Sequence, residues 1–213
     1  SLDVRPYFKR NYLYGETMTH ILGYVGRIND RDVERLKKEE KFANYSGSTD
    51  MGKLGIERYY EEQLHGMTGF EEVEINNRGK VIRKLREQPA TAGKSIHLTI
   101  DLALQRYIMS LLSGQKGAVV VLDPKDNSVL AMVSTPSYDN NLFVDGISAS
   151  DYKRLLNDPA RPLYSRATQG VYPPASTVKP FVAVAALTEG VITPHTTIFD
   201  PGYWMLPNST KRF

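Results

Sequence analysis

Cysteine is absent from this 213-residue chain, which excludes a disulfide framework and any thiolate-held metal within these residues. No apolar run approaches the roughly 18 residues that a membrane-spanning helix requires, and no signal-peptide pattern opens the chain. Nothing in these residues is therefore expected to cross a bilayer. Charge of one sign is not in excess either: 27 basic and 24 acidic residues, mixed along the chain, leave a formal net charge of +3. The most basic stretch, Lys80 to Lys94, is broken by Val81, Ile82 and Leu85 and lacks an aromatic platform. A solvated strand face is expected there, and no nucleic-acid partner. A Gly-x-Ser-x-Gly elbow is missing, which argues against an α/β-hydrolase triad. Thr91-Ala92-Gly93-Lys94-Ser95 ends like a phosphate-binding loop, but Gln88 stands where that loop needs glycine. His20, His65, His97 and His195 are too scattered to form a metal-ligand pair at helical spacing.

What remains supports a packed core: 41% of the residues are hydrophobic and 10% aromatic, enough for one large or two small domains. Ile21-Leu22-Gly23-Tyr24-Val25 reads as a strand, and Asn29 or Asp30 can cap a charged helix over Asp32 to Phe42. Leu54, Ile56, Tyr59, Tyr60 and Leu64 fit a second helix closed by Gly66. Phe70 to Ile75 and Val81 to Leu85 flank the turn residues Asn76-Asn77-Arg78-Gly79, which predicts a hairpin. Pro89 to Gly93 reads as a joint, after which the composition shifts. Ser95 to Ile100 looks like a strand, Asp101 caps a helix carrying Leu102 to Leu112, and Ala118 to Leu122 looks like a buried strand paired with Ser128 to Val133. The expected class is α+β, with a mixed N-terminal domain over 1–92 and a second domain over 93–213 built on an antiparallel sheet flanked by helices.

Ser176-Thr177-Val178-Lys179 carries the chemistry. On a helix, residues i and i+3 share a face about 5–6 Å apart, so the Lys179 amine can reach the Ser176 hydroxyl. Pro173 and Pro174 keep the preceding segment extended, Pro180 suits a first helical turn, and Phe181 to Leu187 is apolar on every face. The pattern predicts a buried helix that begins beside Ser176 and is capped near Gly190. Burial would favour a neutral amine able to take the Ser176 proton, and free N–H groups at the helix start would stabilise an oxyanion. A second Ser-x-x-Lys, Ser150 to Lys153, lies in a polar setting where Ser150 reads as an N-cap and Lys153 as solvated.

These motifs resemble those of class B penicillin-binding proteins, most closely their elongation-type members. Ser-x-x-Lys is named in general accounts as the nucleophile motif of penicillin-binding proteins and related β-lactamases. Gly52-Lys53-Leu54-Gly55-Ile56-Glu57-Arg58-Tyr59-Tyr60 resembles the signature of the non-catalytic pedestal, or dimerisation-type, domain of that family. Leu98-Thr99-Ile100-Asp101, Val121-Leu122-Asp123-Pro124 and Ser134-Thr135-Pro136-Ser137-Tyr138 resemble the opening of its transpeptidase domain. Arg166 to Pro174 then leads into Ser176 and Lys179, and Thr196 to Gly202 follows.

The resemblance implies a peptidoglycan D,D-transpeptidase on the periplasmic side of the bacterial inner membrane, with Ser176 as nucleophile and Lys179 as base. Its implied partners are stem peptides, β-lactams, and a glycan polymerase and scaffold of the elongation machinery. A serine β-lactamase and a non-catalytic interaction module are the competing readings. Elongation-type members also imply zinc in the intact protein, for which only Asp200 matches a first ligand; Asp200-Pro201-Gly202 by itself reads as a turn. The family completes its site with a Ser-x-Asn or Ser-x-Asp and a Lys-Thr/Ser-Gly, and neither follows Lys179 here. With an opening in mid-pattern at Ser1 to Val4, this suggests an N-terminal fragment expected to acylate little by itself. Ala175 stands where the family usually has glycine, a change that a negative φ would tolerate.

Overall fold

The computed structural model describes residues 8–205, 207–208 and 210–211; the opening Ser1 to Val4 and the closing Phe213 lie outside them. By internal contact the chain divides into two compact units, Ser1–Gly170 and Val171–Phe213. The larger unit runs α1 (Gly15–Leu22), β1 (Val25–Arg27), α2 (Asp30–Lys38), α3 (Phe42–Tyr45), β2 (Asp50–Gly52), α4 (Gly55–Tyr59) and α5 (Glu61–His65). It continues with β3 (Phe70–Ile75), β4 (Val81–Gln88), α6 (Leu102–Leu111), β5 (Gly117–Leu122), β6 (Val129–Thr135), α7 (Ala149–Asn157) and α8 (Arg166–Gln169). The strands form three antiparallel pairs, β1 with β2, β3 with β4 and β5 with β6. An α+β architecture of short sheets flanked by helices results. Among the described residues no helix is long and apolar enough to cross a membrane.

Local chemistry sets most of these bounds. Asn29 caps α2 through a reciprocal box in which its side chain accepts from Asp32 N–H and Asp32 accepts from Asn29 N–H. Asp101 caps α6 by accepting from Leu104 N–H. The predicted strand at Ile21 is a correction: Ile21 and Leu22 close α1, and pairing begins only at Val25. Gly23, at φ +71°, ends that helix where a Cβ would fall 2.0 Å from Leu54 O, so only glycine permits this approach of α1 to α4. The helix expected over Leu54 to Leu64 is two short ones broken at Tyr60.

Ser95 to Ile100 is a second correction. It runs alongside β6, tied by Thr99 Oγ1 to Val129 O (2.7 Å) and Asp101 N to Leu130 O (2.8 Å), but lacks the repeating ladder of a strand. β5 alternates half-buried and exposed positions, with Val120 and Leu122 on the open side, where an all-buried strand was expected. The cap of α7 is Ser148, whose Oγ accepts from Asp151 N–H; Ser150 lies inside the helix.

Among the described residues, three apolar clusters hold the larger unit. Leu36, Tyr45 and Met51 form the first, and Ile108, Ala131 and Val133, between α6 and β6, form the second. Tyr138, Phe143 and Leu155 form the third, against which Tyr24 stacks on Phe143 with ring centroids 4.0 Å apart. Residues 12–24 are thereby joined to residues 132–143. Asn141 Oδ1 accepts from Tyr12 N–H and its Nδ2 donates to Tyr12 O, both at 2.9 Å. Thr19 Oγ1 donates to Tyr138 O at 2.6 Å, and Asn140 Nδ2 to Gly23 O at 2.7 Å. Inside the pedestal-like signature, Glu57 is buried and receives Arg10 Nε at 2.8 Å and the Tyr12 hydroxyl at 3.1 Å. Burial pushes its carboxyl above the usual range, and Arg10 opposes that shift.

Candidate active site

In the second unit, Pro174 enters a 3₁₀ turn over Ala175–Val178 that runs directly into α9 (Lys179–Thr188). Thr177 locks the entry, since both its N–H (3.1 Å) and its hydroxyl donate to Pro174 O. Lys179 N–H donates back to Ser176 O, the i→i+3 bond of this turn. Three residues per turn eclipse positions i and i+3, so Ser176 and Lys179 project from one side of the junction, as the spacing predicts. Pro180 occupies the first turn of α9, where no intrahelical donor is lost, and Gly190 follows the end of the helix at φ +68°.

The expected burial is not there. Phe181 is 75% exposed and Val184 63%, and Ser176 and Lys179 are themselves exposed. No described residue of this unit covers the apolar helix, and no hydrogen bond joins the Lys179 amine to Ser176 Oγ among the described residues. The backbone presents the pair, while the environment that would activate the pair is not supplied by the described residues of this unit.

Ala175 has φ +46°, in the left-handed region where a Cβ is strained, so the negative φ that would excuse alanine at this place is not found. Ala175→Gly relieves about 1–2 kcal/mol of native strain and gives back about 0.4–1 kcal/mol through the freer unfolded chain. The net gain, on the order of 0.5–1 kcal/mol, is expected as a higher melting temperature, and a lower one would contradict this account of the turn.

Asp200 Oδ1 accepts from Gly202 N–H at 2.8 Å, closing an exposed Asx turn. Among the described residues no group of three or more His, Cys, Asp or Glu side chains could hold a metal. The described residues thus assemble no metal site by themselves, Asp200 standing alone of the set implied by resemblance, and no step below is routed through a metal. The second Ser-x-x-Lys is polar and exposed, with Ser150 Oγ 3.0 Å from Ser148 Oγ. Sequence reading missed Gln105 and Glu57, whose hydrogen-bond partners lie far along the chain, and His20, whose ring packs on the distant Tyr138.

The profile of the penicillin-binding protein dimerisation domain matches residues 1–98, and that of the penicillin-binding protein transpeptidase domain matches residues 117–213. A Haemophilus influenzae protein named peptidoglycan D,D-transpeptidase MrdA is 84% identical over all 213 residues, and its Escherichia coli K12 namesake is 64% identical over 212. The chain spans about a third of their length, 33% and 34%. Among solved structures, Pseudomonas aeruginosa PBP2 in complex with WCK 5153 superposes with a TM-score of 0.76 at 44% identity, covering 99% of this chain and 41% of that one. Helicobacter pylori PBP2 in complex with MreC gives 0.84 at 31% identity, covering 96% and 37%. With two consecutive domain profiles and these identities in agreement, the chain belongs to the class B penicillin-binding proteins of the PBP2 type, carrying dimerisation-domain and transpeptidase-domain sequence in that order.

Proposed function

We propose that the full-length protein is a peptidoglycan D,D-transpeptidase that cross-links stem peptides during cell elongation, working on the periplasmic side of the inner membrane. One observation carries this reading: Ser176 and Lys179 stand one 3₁₀ turn apart at a helix start, inside the transpeptidase-matched segment. Ser176 Oγ attacks the carbonyl between the two terminal D-alanines of a donor peptide, and Lys179 takes its proton. The peptide bond breaks, the proton passes to the departing D-alanine amine, and an ester to Ser176 remains. An amine of a neighbouring stem peptide then attacks that ester, restoring the hydroxyl. A β-lactam presents a carbonyl to the same hydroxyl and stays as the ester. Activation of the pair requires a cover over α9, so residues 1–213 alone are expected to acylate poorly.

The test is intact mass after incubation with penicillin. Full-length protein gains the mass of one β-lactam, mapped to the peptide that holds Ser176. An unmodified mass, or an adduct on another residue, would overturn the proposal. A scaffold-docking role stands beside catalysis: the Helicobacter pylori relative is titled as a complex with MreC, and the dimerisation segment here offers a separate surface for such a partner. A β-lactamase reading would require rapid turnover of nitrocefin, whereas the relatives named above are transpeptidases.

A further inference from the structure

His20 lies in the last turn of α1, and its Nε2 is buried without a hydrogen-bond partner. A buried polar nitrogen left unpaired calls for an explanation, and on the facing segment Ser137 Oγ and Asn140 Oδ1 are buried and unpaired as well. The ring packs edge-on against Tyr138, centroids 5.7 Å apart at 87°. Its flanks are fixed on both sides: Thr19 is bonded to Tyr138 O, and Asn140 to Gly23 O.

The third neighbour is Arg166, at the start of α8, buried at 9% exposure. Its backbone N–H donates to Ser134 Oγ at 2.7 Å, and its guanidinium donates to Ala160 O at 2.7 Å and Arg161 O at 3.4 Å. No carboxylate pairs with it among the described residues, so its charge is answered only by carbonyls and by the Tyr164 ring, 5.8 Å from Cζ. A proton on His20 would place a second cation in this low-dielectric seam. Like charges there repel far more than in water.

We propose that His20 is an acid-sensitive latch between the dimerisation-type and transpeptidase-type segments. Neutral, it lets α1 seat on residues 134–138 and on the Pro162 to Arg166 segment; protonated, it loosens that joint. The side chains facing it favour the neutral ring, and the backbones of Pro136 and Pro162 work against that. Tyr138 is a phenol that burial keeps neutral, Arg166 is a fixed cation, and no acid from the opposing segments answers the ring. Burial is the largest influence and lowers the imidazole from its ordinary value. The backbones of Pro136 and Pro162 oppose that, and Arg166 adds to it. Because the folded state holds the proton less well than the unfolded one, stability is full above the unfolded titration range. It is lost as pH falls through that range toward the lower folded one.

The experiment is hydrogen exchange on the full-length protein between about pH 7.5 and about pH 5.5, corrected for intrinsic rates, with the β3–β4 hairpin as internal reference. Opening of α1 and of residues 162–169 is expected to rise as pH falls through the titration range of an unfolded imidazole, by no more than about tenfold per pH unit, and to stay flat in His20→Gln. No differential opening, or the same rise in His20→Gln, would overturn the latch. Should that variant fail to fold, NMR of histidine-labelled wild type decides. His20 is expected to titrate below a histidine of the denatured chain, and a midpoint at or above that reference would refute the proposal.

Discussion

Ser176→Ala in the full-length protein is expected to leave no penicillin adduct and no cross-linking activity, with an unchanged melting temperature. The hydroxyl is exposed and bonded to nothing among the described residues, so its removal falls among surface changes of within about 0.5 kcal/mol. Loss of function without loss of fold separates a nucleophile from a structural residue. Lys179→Ala should slow acylation by about 10²–10⁴-fold, the usual worth of a positioned base. Lys179→Arg makes the sharper test. Arginine keeps the charge and much of the reach but stays protonated, so it cannot accept the Ser176 proton. If Lys179 acts as a base, the arginine variant is as slow as the alanine one; recovery of acylation with arginine would mean that charge alone matters.

Gln105→Leu should cost about 3–9 kcal/mol of stability, at about 1–3 kcal/mol for each of three backbone groups left without this partner in a buried setting. The side chain is 1% exposed and acts as a substitute strand along β6, beyond the stretch that Ser95 to Asp101 lines. Its Oε1 accepts from Met132 N–H at 2.9 Å, and its Nε2 donates to Met132 O at 2.9 Å and to Thr17 O at 3.0 Å. Met132 faces Val120 across the β5–β6 ladder, so its outward N–H and C=O would otherwise meet the side of α6 with no partner. Leucine fills the volume and satisfies none of the three groups. Gln105→Glu keeps the acceptor but turns carboxylate oxygen toward two carbonyls, and should be at least as damaging. Denaturant unfolding checks both, and a loss below about 1 kcal/mol would mean that water enters and replaces the amide.

Elements fixed by nearby chemistry were legible. The Asn29–Asp32 box, the Asp101 cap and the Asn76 to Gly79 turn announce their structures within a few residues. Ile21 and Leu22 misled because a short apolar run fits either period, and the pairing that starts at Val25 is decided by Gly52, far away in sequence. Ser95 to Ile100 alternates like a strand, but strand character requires a ladder that only its neighbours could provide. Ser148 outranked Ser150 as a cap by two positions, the usual uncertainty of a helix end.

At the candidate site, the turn and the Ser176–Lys179 spacing followed from two prolines and a motif, whereas the burial of α9 did not follow from its composition. An apolar helix states what it would gain from a cover and cannot specify where that cover comes from. The contacts of His20, Gln105 and Glu57 span dozens of residues and leave no periodic trace. Only three-dimensional placement reveals them.

The bonds of residues 12–24 to residues 132–143 bear on how such proteins exchange parts. A chimaera spliced at the Pro89 to Gly93 joint would graft a foreign α1 onto a resident β6. Gln105 and Asn141 would then have to find compatible carbonyls, and the Tyr138 carbonyl a compatible donor, in a segment with a separate history. Recombination that respects this architecture transplants α1 together with the catalytic half, leaving the β3–β4 ribbon as freely interchangeable cargo.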